Sequence, residues 1–254
     1  MDYIRIDDNN IDTQHICCAI GNDKRNKLRA ESKKDWLKER FSDGLVFIRL
    51  NDRGKFFIEY MPVEKAWKPV SGKNYLLINC LWVSGKYKEK GIAKDLLDEC
   101  IEDAKYQNKD GIAVVTSNKV MPFLTDRKFF LHHGFEVVDE ASPYFELLAL
   151  KLKSDAKDPE FTENAKKAEC ENKKGFTFIY SNQCPFMEEY IQLLSKILEN
   201  KDIPYEAIKL QSSEESKNTG SPFGTLGIYY NGEFQTHILM SENKFEKFVD
   251  DIAG

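Results

Sequence analysis

The sequence lacks long apolar segments: no apolar run approaches the roughly 18 residues needed to cross a bilayer, although 41% of its 254 residues are hydrophobic. It also lacks an excess of positive charge, because 37 basic side chains stand against 42 acidic ones and leave a net charge of −5. This balance argues against a nucleic acid or a membrane surface as partner. We therefore expect a soluble protein whose chain is long enough to bury a core.

Metal-ligand spacing is missing as well. None of the six cysteines stands in a pair spaced like metal ligands, so no metal is predicted. The first residues alternate like a strand and lack the apolar stretch of a signal peptide. Internal repeats and low-complexity tracts are absent. These features predict a cytoplasmic protein, in one large or two modest domains, whose cysteines mostly remain thiols.

The most informative segment combines a strand, a basic turn and a helix. The apolar run Tyr75–Val83 predicts a strand that stops at Ser84-Gly85, and a lysine-rich turn follows. From Gly91 onwards apolar residues recur at helical spacing, at Ile92, Leu96, Leu97, Cys100, Ile101 and Ala104. A helix N-terminus with a glycine and nearby lysines favours a bound phosphate. An ordinary strand-to-helix turn with solvated lysines is the alternative reading of the motif.

This turn resembles the pyrophosphate loop of the GNAT N-acetyltransferases, in which Arg or Gln, two residues, Gly, one residue and Gly or Ala follow one another. Here the loop reads Lys88-Glu89-Lys90-Gly91-Ile92-Ala93, with lysine in the first slot. A strand at 111–116, a helix that ends at Gly134 and a strand from Phe135 follow in the family's order. Gly134 is expected to end its helix in the left-handed conformation. The resemblance implies an α/β (α+β) fold with a mixed central sheet flanked by helices over residues 1–153.

The resemblance also implies acetyl-CoA as cosubstrate and an amine, on a small molecule or a peptide, as acceptor. The backbone of the central strand would hold the pantetheine arm, and Asn118 would contact the pantetheine or the adenine side, unless it only caps a turn. The residues expected to bind the cosubstrate are Leu81, Trp82, Val83, Lys88, Glu89, Lys90, Gly91, Ile92, Ala93, Lys94 and Asn118.

The catalytic acid and base are less evident. Phe130 occupies the slot in which the family often carries a tyrosine as general acid. Either water protonates the leaving thiolate or another tyrosine does, and Tyr144, predicted on a closing strand at 144–153, is the nominated tyrosine. Glu59 is the candidate general base, because burial among apolar neighbours raises the pKa of a carboxylate; Glu64 is a weaker candidate. His132 and His133 are expected only to favour a helix C-terminus.

The remaining elements of the first block are two helices, near Asp12–Ile20 and Glu31–Phe41, and a hairpin of strands at 45–50 and 56–61. Residues 154–174 are charged and poor in large apolar residues, which predicts a linker with at most a short helix near Glu163–Cys170.

Residues 175–254 restart a folding pattern of strand, Cys-Pro turn, helix, strand, Asn-Gly hairpin and helix. This order is similar to a thioredoxin-like module, and Cys184-Pro185-Phe186-Met187 resembles a glutaredoxin site. Met187 replaces the resolving cysteine, and Gly224 replaces the family's cis-proline. The whole chain resembles the bacterial YoaP-type acetyltransferases, with Cys184 as a possible redox thiol.

Two alternatives remain open: a non-catalytic coenzyme A sensor or scaffold, suggested by Phe130, and a monothiol redox protein acting through Cys184. The C-terminal module is interpreted as a docking element or as a contact in a possible homodimer. The sequence does not name the acceptor amine.

Overall fold

The computed structural model describes residues 1–16, 18–85 and 90–254. The chain divides into two compact units. Unit 1 comprises residues 1–66, 70–140 and 144–161, and unit 2 comprises residues 67–69, 141–143 and 162–254. The domain boundaries at 153 and 175 stay a prediction from the sequence. Of the segment expected to be a linker, residues 154–161 belong to unit 1 and residues 162–174 to unit 2.

Unit 1 is built on a seven-stranded mixed sheet in the order β1-β2-β3-β5-β6-β8-β7. Its elements are β1 (Tyr3–Ile6), α1 (Lys24–Phe41), β2 (Val46–Leu50), β3 (Phe56–Pro62), β4 (Val70–Ser71), β5 (Tyr75–Val83), α2 (Ile92–Tyr106), β6 (Gly111–Ser117), α3 (Arg127–His132), β7 (Glu136–Ala141), β8 (Phe145–Lys151) and β9 (Glu160–Phe161). A short 3₁₀ helix, Val63–Lys65, follows β3, and β4 pairs with β9 apart from the main sheet. The predicted α/β fold and the central strand Tyr75–Val83 are confirmed.

The two faces of this sheet carry different helices. Successive strand residues point to opposite faces, so Ile58 and Tyr60 join the apolar cluster formed with α2 and α3. Phe57 and Glu59 point to the other face, where Lys33 of α1 reaches Glu59. A stacked pair of rings, Phe47 and Phe57 with centroids 4.8 Å apart, packs on the same face. The sheet is thus buried on both sides at its centre.

The helix predicted near Asp12–Ile20 is wrong, because the described residues there form turns. The Asp7 carboxylate accepts the backbone N–H groups of Asn9 and Asn10, at 2.9 and 3.1 Å. Such local side-chain bonds compete with helix formation. The following helix, α1, begins at Lys24 rather than near Glu31, because Asp23 caps it by accepting the N–H of Asn26 at 3.0 Å.

Unit 2 contains a four-stranded sheet in the order β11-β10-β12-β13. Its elements are α4 (Glu163–Lys167), β10 (Phe176–Tyr180), α5 (Met187–Asn200), β11 (Tyr205–Lys209), α6 (Ser213–Lys217), β12 (Leu226–Tyr230), β13 (Glu233–Thr236) and α7 (Glu242–Ala253). β10 pairs in parallel with β11 and antiparallel with β12. The predicted hairpin turn at Asn231-Gly232 is confirmed, with φ values of 49° and 89°.

Within the described ranges, no helix is both long and apolar enough to cross a membrane.

Candidate active site

The central feature of unit 1 is a split between β5 and β6. The two strands pair in parallel from Tyr75 opposite Gly111 to Ile78 opposite Val114, and their recorded pairing stops there. β5 nevertheless continues to Val83, paired on its other side with β3. β6 likewise continues to Ser117 against β8. Since a strand bonds in two directions, the last five residues of β5 turn backbone groups toward a gap that β6 does not fill.

A bulge in β5 marks the start of the split. The register with β3 passes from Glu59 opposite Cys80 to Tyr60 opposite Ile78, so Asn79 is the extra residue. Asn79 Nδ2 donates to Glu59 Oε1 at 3.1 Å. Lys33 Nζ lies 2.5 Å from Glu59 Oε2, and both charged side chains are almost fully buried. Glu59, the predicted general base, therefore binds the bulge residue Asn79 through one carboxylate oxygen. Its negative charge is neutralised by Lys33 of α1 at the other oxygen.

The three β5 residues expected to line the pantetheine site lie along the split. Leu81 and Val83 are half-buried and pack against the core on the α2 face. The Trp82 side chain is 37% exposed, and Lys55 Nζ lies 4.6 Å from its ring centroid. Sheet packing by these side chains is compatible with a backbone role, because the free N–H and C=O groups lie in the sheet plane.

The N-terminus of α2 follows the end of β5. Gly91 precedes the helix in the left-handed conformation, with φ 79°. A Cβ built on it would meet no heavy atom of the described residues within 4 Å, so these residues leave open space beside the backbone. The first helical N–H groups have no partner within the helix. These two features fit a phosphate, which accepts backbone hydrogen bonds and favours the positive end of a helix.

The other predicted loop residues differ in their surroundings. Ile92 is buried in the core and Ala93 is half-buried, whereas Lys90 and Lys94 are exposed. A hydrogen bond to the Asp98 carboxylate raises the pKa of Lys94 and keeps it charged. Lys88 and Glu89 lie outside the described residues.

Asn118 and Tyr144 meet at the same edge of the sheet. The backbone N–H of exposed Asn118 donates to the carbonyl of Tyr144 at 3.0 Å. Asn118 follows the carboxyl end of β6, and because β5 and β6 are parallel, that edge also holds the end of β5. Tyr144 is buried, with Lys119 Nζ 4.9 Å from its ring centroid. It lies in the turn before β8, not on a strand as predicted, because β8 pairing ends at Phe145 opposite Ser117.

The slot that Phe130 occupies belongs to the hydrophobic core. Its fully buried ring lies 5.2 Å from that of Phe129 and 5.0 Å from that of Phe135. His133 Nδ1 lies 2.7 Å from the carbonyl oxygen of Phe129 at the end of α3. Gly134 has φ 84°, which confirms the predicted helix-ending conformation. This corner therefore packs α3 against the sheet.

Glu64, the weaker base candidate, accepts the backbone N–H of Asn74 at 2.6 Å through Oε1. This bond joins the turn after β3 to the turn before β5. Its carboxylate thus lies at the end of β5 opposite the split.

The sequence reading missed two members of the bulge, Lys33 and Asn79. Lys33 is a lysine on the helix face that carries Trp36 and Leu37, both buried. A charge at that position signals a buried partner. Asn79 interrupts an otherwise apolar run, which is the corresponding signal in β5.

Cys184 lies in unit 2, in the turn that leads into α5. It is half-buried, and its carbonyl accepts the N–H of Met187 at 3.3 Å. Met187 is fully buried and contributes to the apolar face of α5. Across the described ranges, no group of three or more His, Cys, Asp or Glu residues is arranged to hold a metal ion.

Two family models match the chain. The model described as "Acetyltransferase (GNAT) family" matches residues 13–135, which contain the split and the N-terminus of α2. The model described as "YoaP-like" matches residues 204–247, in unit 2.

A relative from Bacillus subtilis (strain 168), described as "Uncharacterized N-acetyltransferase YoaP", is 44% identical over 253 residues and covers 100% of both chains. Among solved structures, an acetyltransferase of the GNAT family from Staphylococcus aureus Mu50 is 19% identical, with a TM-score of 0.41, over 60% of this chain and 99% of that one. The PaiA N-acetyltransferase from Thermoplasma acidophilum in complex with coenzyme A is 17% identical, with a TM-score of 0.41, over 59% and 99%.

Proposed function

The chain belongs to the YoaP-like N-acetyltransferases of the GNAT family, and on this premise we propose that it transfers the acetyl group of acetyl-CoA to a primary amine. The split between β5 and β6, ending beside the N-terminus of α2, carries the proposal. It offers backbone partners to an extended amide-containing arm and, at its end, donors to phosphate. Both are needed by one ligand, a coenzyme A thioester.

The cosubstrate residues divide by the part of the ligand they would hold. In this proposal the backbone of Leu81, Trp82 and Val83 binds the pantetheine arm, and Asn118 contacts it from the β6 side. The pyrophosphate lies against the loop and the first turn of α2, formed by Lys88, Glu89, Lys90, Gly91, Ile92, Ala93 and Lys94. The open space beside Gly91 supports this assignment.

The reaction requires few side chains. The neutral amine attacks the thioester carbonyl, a C–N bond forms, the C–S bond breaks, and the products are the acetylated amine and coenzyme A. Backbone N–H groups on the free edge of β5 stabilise the negative charge that develops on the carbonyl oxygen. The amine loses one proton and the leaving thiolate gains one, so the reaction is balanced without a further reactant.

Tyr144 is our proposed proton donor to the thiolate. It is a buried tyrosine at the edge where β5 and β6 end and β8 begins, and the neighbouring Lys119 side chain covers its ring. We assign Glu59 a positioning role in the same reaction. Its carboxylate orients Asn79, the bulge residue, and thereby the following β5 backbone, whose N–H groups stabilise the oxyanion. Direct proton transfer by Glu59 stays a prediction from the sequence.

Unit 2 completes the proposal. Its β10-α5-β11 arrangement followed by the β12-β13 hairpin and α7 supports a thioredoxin-like module. Met187 has no thiol, so we propose a role in docking rather than in an internal dithiol cycle. A homodimer and a cytoplasmic location remain predictions from the sequence.

The decisive experiment measures free coenzyme A, by chromatography, while the full chain acts on a panel of primary amines. We expect release of coenzyme A that depends on the amine and exceeds the rate of acetyl-CoA hydrolysis.

Tyr144→Phe should lower kcat about 100-fold, as loss of a general acid does, and remove the high-pH limb of the rate profile while acetyl-CoA still binds. Phe130→Leu is the packing control and should keep that limb. If the rate of coenzyme A release is the same with and without an amine, the proposed reaction is refuted. An unchanged pH–rate profile in Tyr144→Phe would refute the assignment of Tyr144 as the general acid.

A further inference from the structure

A basic pocket lies on unit 1 outside the split. It has a volume of about 260 Å³ and is formed by residues 14–16 and 19–22, the first turns of α1 and the turn between β2 and β3. Its polar lining residues are Gln14, His15, Asn22, Lys27, Lys34 and Arg53. Three of these are cations, and none is acidic. A cavity of this size exceeds the space of a single water several-fold, so it accommodates a group of several heavy atoms.

The three cations of the basic pocket have no carboxylate partner within the described ranges. Arg53 Nη2 donates to the carbonyl of Ile20 at 2.8 Å and to Asn22 Oδ1 at 3.1 Å. Lys34 Nζ donates to the carbonyl of Asp12 at 2.9 Å. The ammonium group of exposed Lys27 has no hydrogen bond or ion pair among the residues described. Neutral oxygens hold Arg53 and Lys34 in place, and the carboxylates of Asp12 and Glu31 attract Lys34 from beyond ion-pair distance.

His15 reports the resulting field. Its Nε2 is buried and has no hydrogen-bond partner among the residues that the structure describes. Burial, followed by the positive charges of Arg49 and Arg53, lowers the pKa of His15, while Asp52 opposes this shift. The imidazole is therefore neutral at pH 7, with a buried ring nitrogen beside a cationic wall. The positive potential of these side chains favours the binding of an anion.

The basic pocket neighbours the split through two short connections. Arg53 is two residues before Lys55, whose ammonium group lies on the exposed ring of Trp82 in β5. Lys34 follows Lys33, which holds Glu59 and the bulge. Both connections lead to the part of β5 that forms the split. α1 and the turn between β2 and β3 thus contribute both to the basic pocket and to contacts with the β3–β5 pair beside the split.

We propose that the basic pocket binds an anionic group, a carboxylate or a phosphate, carried by the amine that the enzyme acetylates. The proposal rests on the proposed function, and it narrows the acceptor to amines of the amino-acid or aminoalkyl-phosphate type. Lys27 and Lys34 supply charge-assisted hydrogen bonds to the anion. Arg53 both shapes the pocket wall and contributes positive charge.

The kinetic test uses acceptors of matched length: an ω-amino carboxylic acid, an aminoalkyl phosphate and the corresponding neutral alkylamine. We expect kcat/KM for at least one anionic acceptor to exceed that of the alkylamine about 10-fold or more, as charge-assisted contacts allow. Whichever of the two anionic acceptors has the higher kcat/KM shows whether the pocket prefers a carboxylate or a phosphate. In Lys27→Gln/Lys34→Gln the preference should disappear, with KM for acetyl-CoA unchanged. The charge-matched control, Lys105→Gln/Lys244→Gln, changes exposed lysines of α2 and α7 and should keep it.

Equal turnover of all three acceptors would overturn the inference while the proposed function stands. A preference that survives in Lys27→Gln/Lys34→Gln would also overturn it. If no acceptor is turned over, proton NMR decides, because the chain has only four histidines and His15→Gln assigns the His15 signal. Addition of the aminoalkyl phosphate or the ω-amino acid should raise the pKa of His15 in the wild type but not in Lys27→Gln/Lys34→Gln. If the pKa of His15 does not change, the proposed anion site is refuted. If the anion binds but is not acetylated, the site stands and its assignment to the acceptor amine is refuted.

Discussion

At the residue scale, the buried pair of Lys33 and Glu59 is the most consequential contact of unit 1. Its side chains are 2% and 1% exposed, so the two opposite charges compensate each other away from water. Removing one partner of a buried ion pair typically costs about 3–5 kcal/mol, whereas replacing both with apolar groups is often neutral. This asymmetry separates a structural contribution of Glu59 from a chemical one.

We predict that Glu59→Gln lowers the free energy of unfolding by about 3 kcal/mol, because it removes the carboxylate that pairs with the buried Lys33 ammonium group. The double variant Lys33→Met/Glu59→Gln should recover most of that loss. Thermal or urea unfolding of the four proteins in this cycle measures the coupling. If Glu59 acts by positioning Asn79, whose side chain a glutamine at position 59 still binds, kcat recovers with stability. A double variant that is stable yet inactive across the pH range would instead make Glu59 the general base.

At the scale of elements, the N-terminus of α2 is the part of unit 1 to which we assign phosphate binding. Gly91 has a positive φ and open space in the direction of a Cβ. A side chain there is strained, and it also fills the space assigned to the phosphate. Gly134, at the end of α3, has a similar φ of 84° and only ordinary contact, 3.6 Å to Leu150, in the Cβ direction. The two glycines thus form a matched pair.

We predict that Gly91→Val abolishes acetyl-CoA binding, which should be near micromolar in the wild type, about −8 kcal/mol. The valine blocks the approach of the phosphate to the backbone. Gly134→Val should lower the melting temperature through backbone strain but retain the affinity. Isothermal titration calorimetry of acetyl-CoA with the three proteins provides the measurement. Wild-type affinity in Gly91→Val would contradict the pyrophosphate assignment of this loop.

At the scale of the whole molecule, the two units are interleaved along the chain. Unit 2 includes Trp67–Pro69 and Ala141–Pro143 in addition to residues 162–254. Lys68 is buried, and its ammonium group donates to the carbonyl of Phe223 at 2.6 Å. The N–H of Thr162 donates to the carbonyl of Pro69 at 3.0 Å. A truncation before residue 175 would expose Lys68, so point variants test unit 2 more cleanly than deletion does.

We predict that Cys184→Ser leaves the rate of acetyl transfer near that of the wild type. A mixed disulfide at Cys184 has no thiol at Met187 to resolve it, so turnover of disulfides would need a second thiol from solution. The assay pairs acetyl transfer with glutathione-coupled disulfide reduction in both proteins. Robust reduction that disappears in Cys184→Ser would overturn the docking role and indicate a redox activity.

The sequence alone determined most of the order of elements and led to the proposal of a phosphate-binding turn. The strand Tyr75–Val83, the helix from Gly91 and the Asn231-Gly232 hairpin rest on local periodicity and turn chemistry, which do not depend on distant residues. The helix near Asp12–Ile20 was mispredicted because Asp7 and Asn10, just before it, bond to the nearby backbone, a competition that hydrophobic spacing does not reveal.

Only the tertiary structure decided which side chains meet. The pairing of Lys33 with Glu59 joins residues 26 positions apart, and the bulge at Asn79 exists only through the register between β3 and β5. The basic pocket likewise collects Lys27, Lys34 and Arg53 from two separate segments. Periodicity describes the faces of single elements, whereas register, burial and long-range charge arise when the elements pack, and they determine what the site binds.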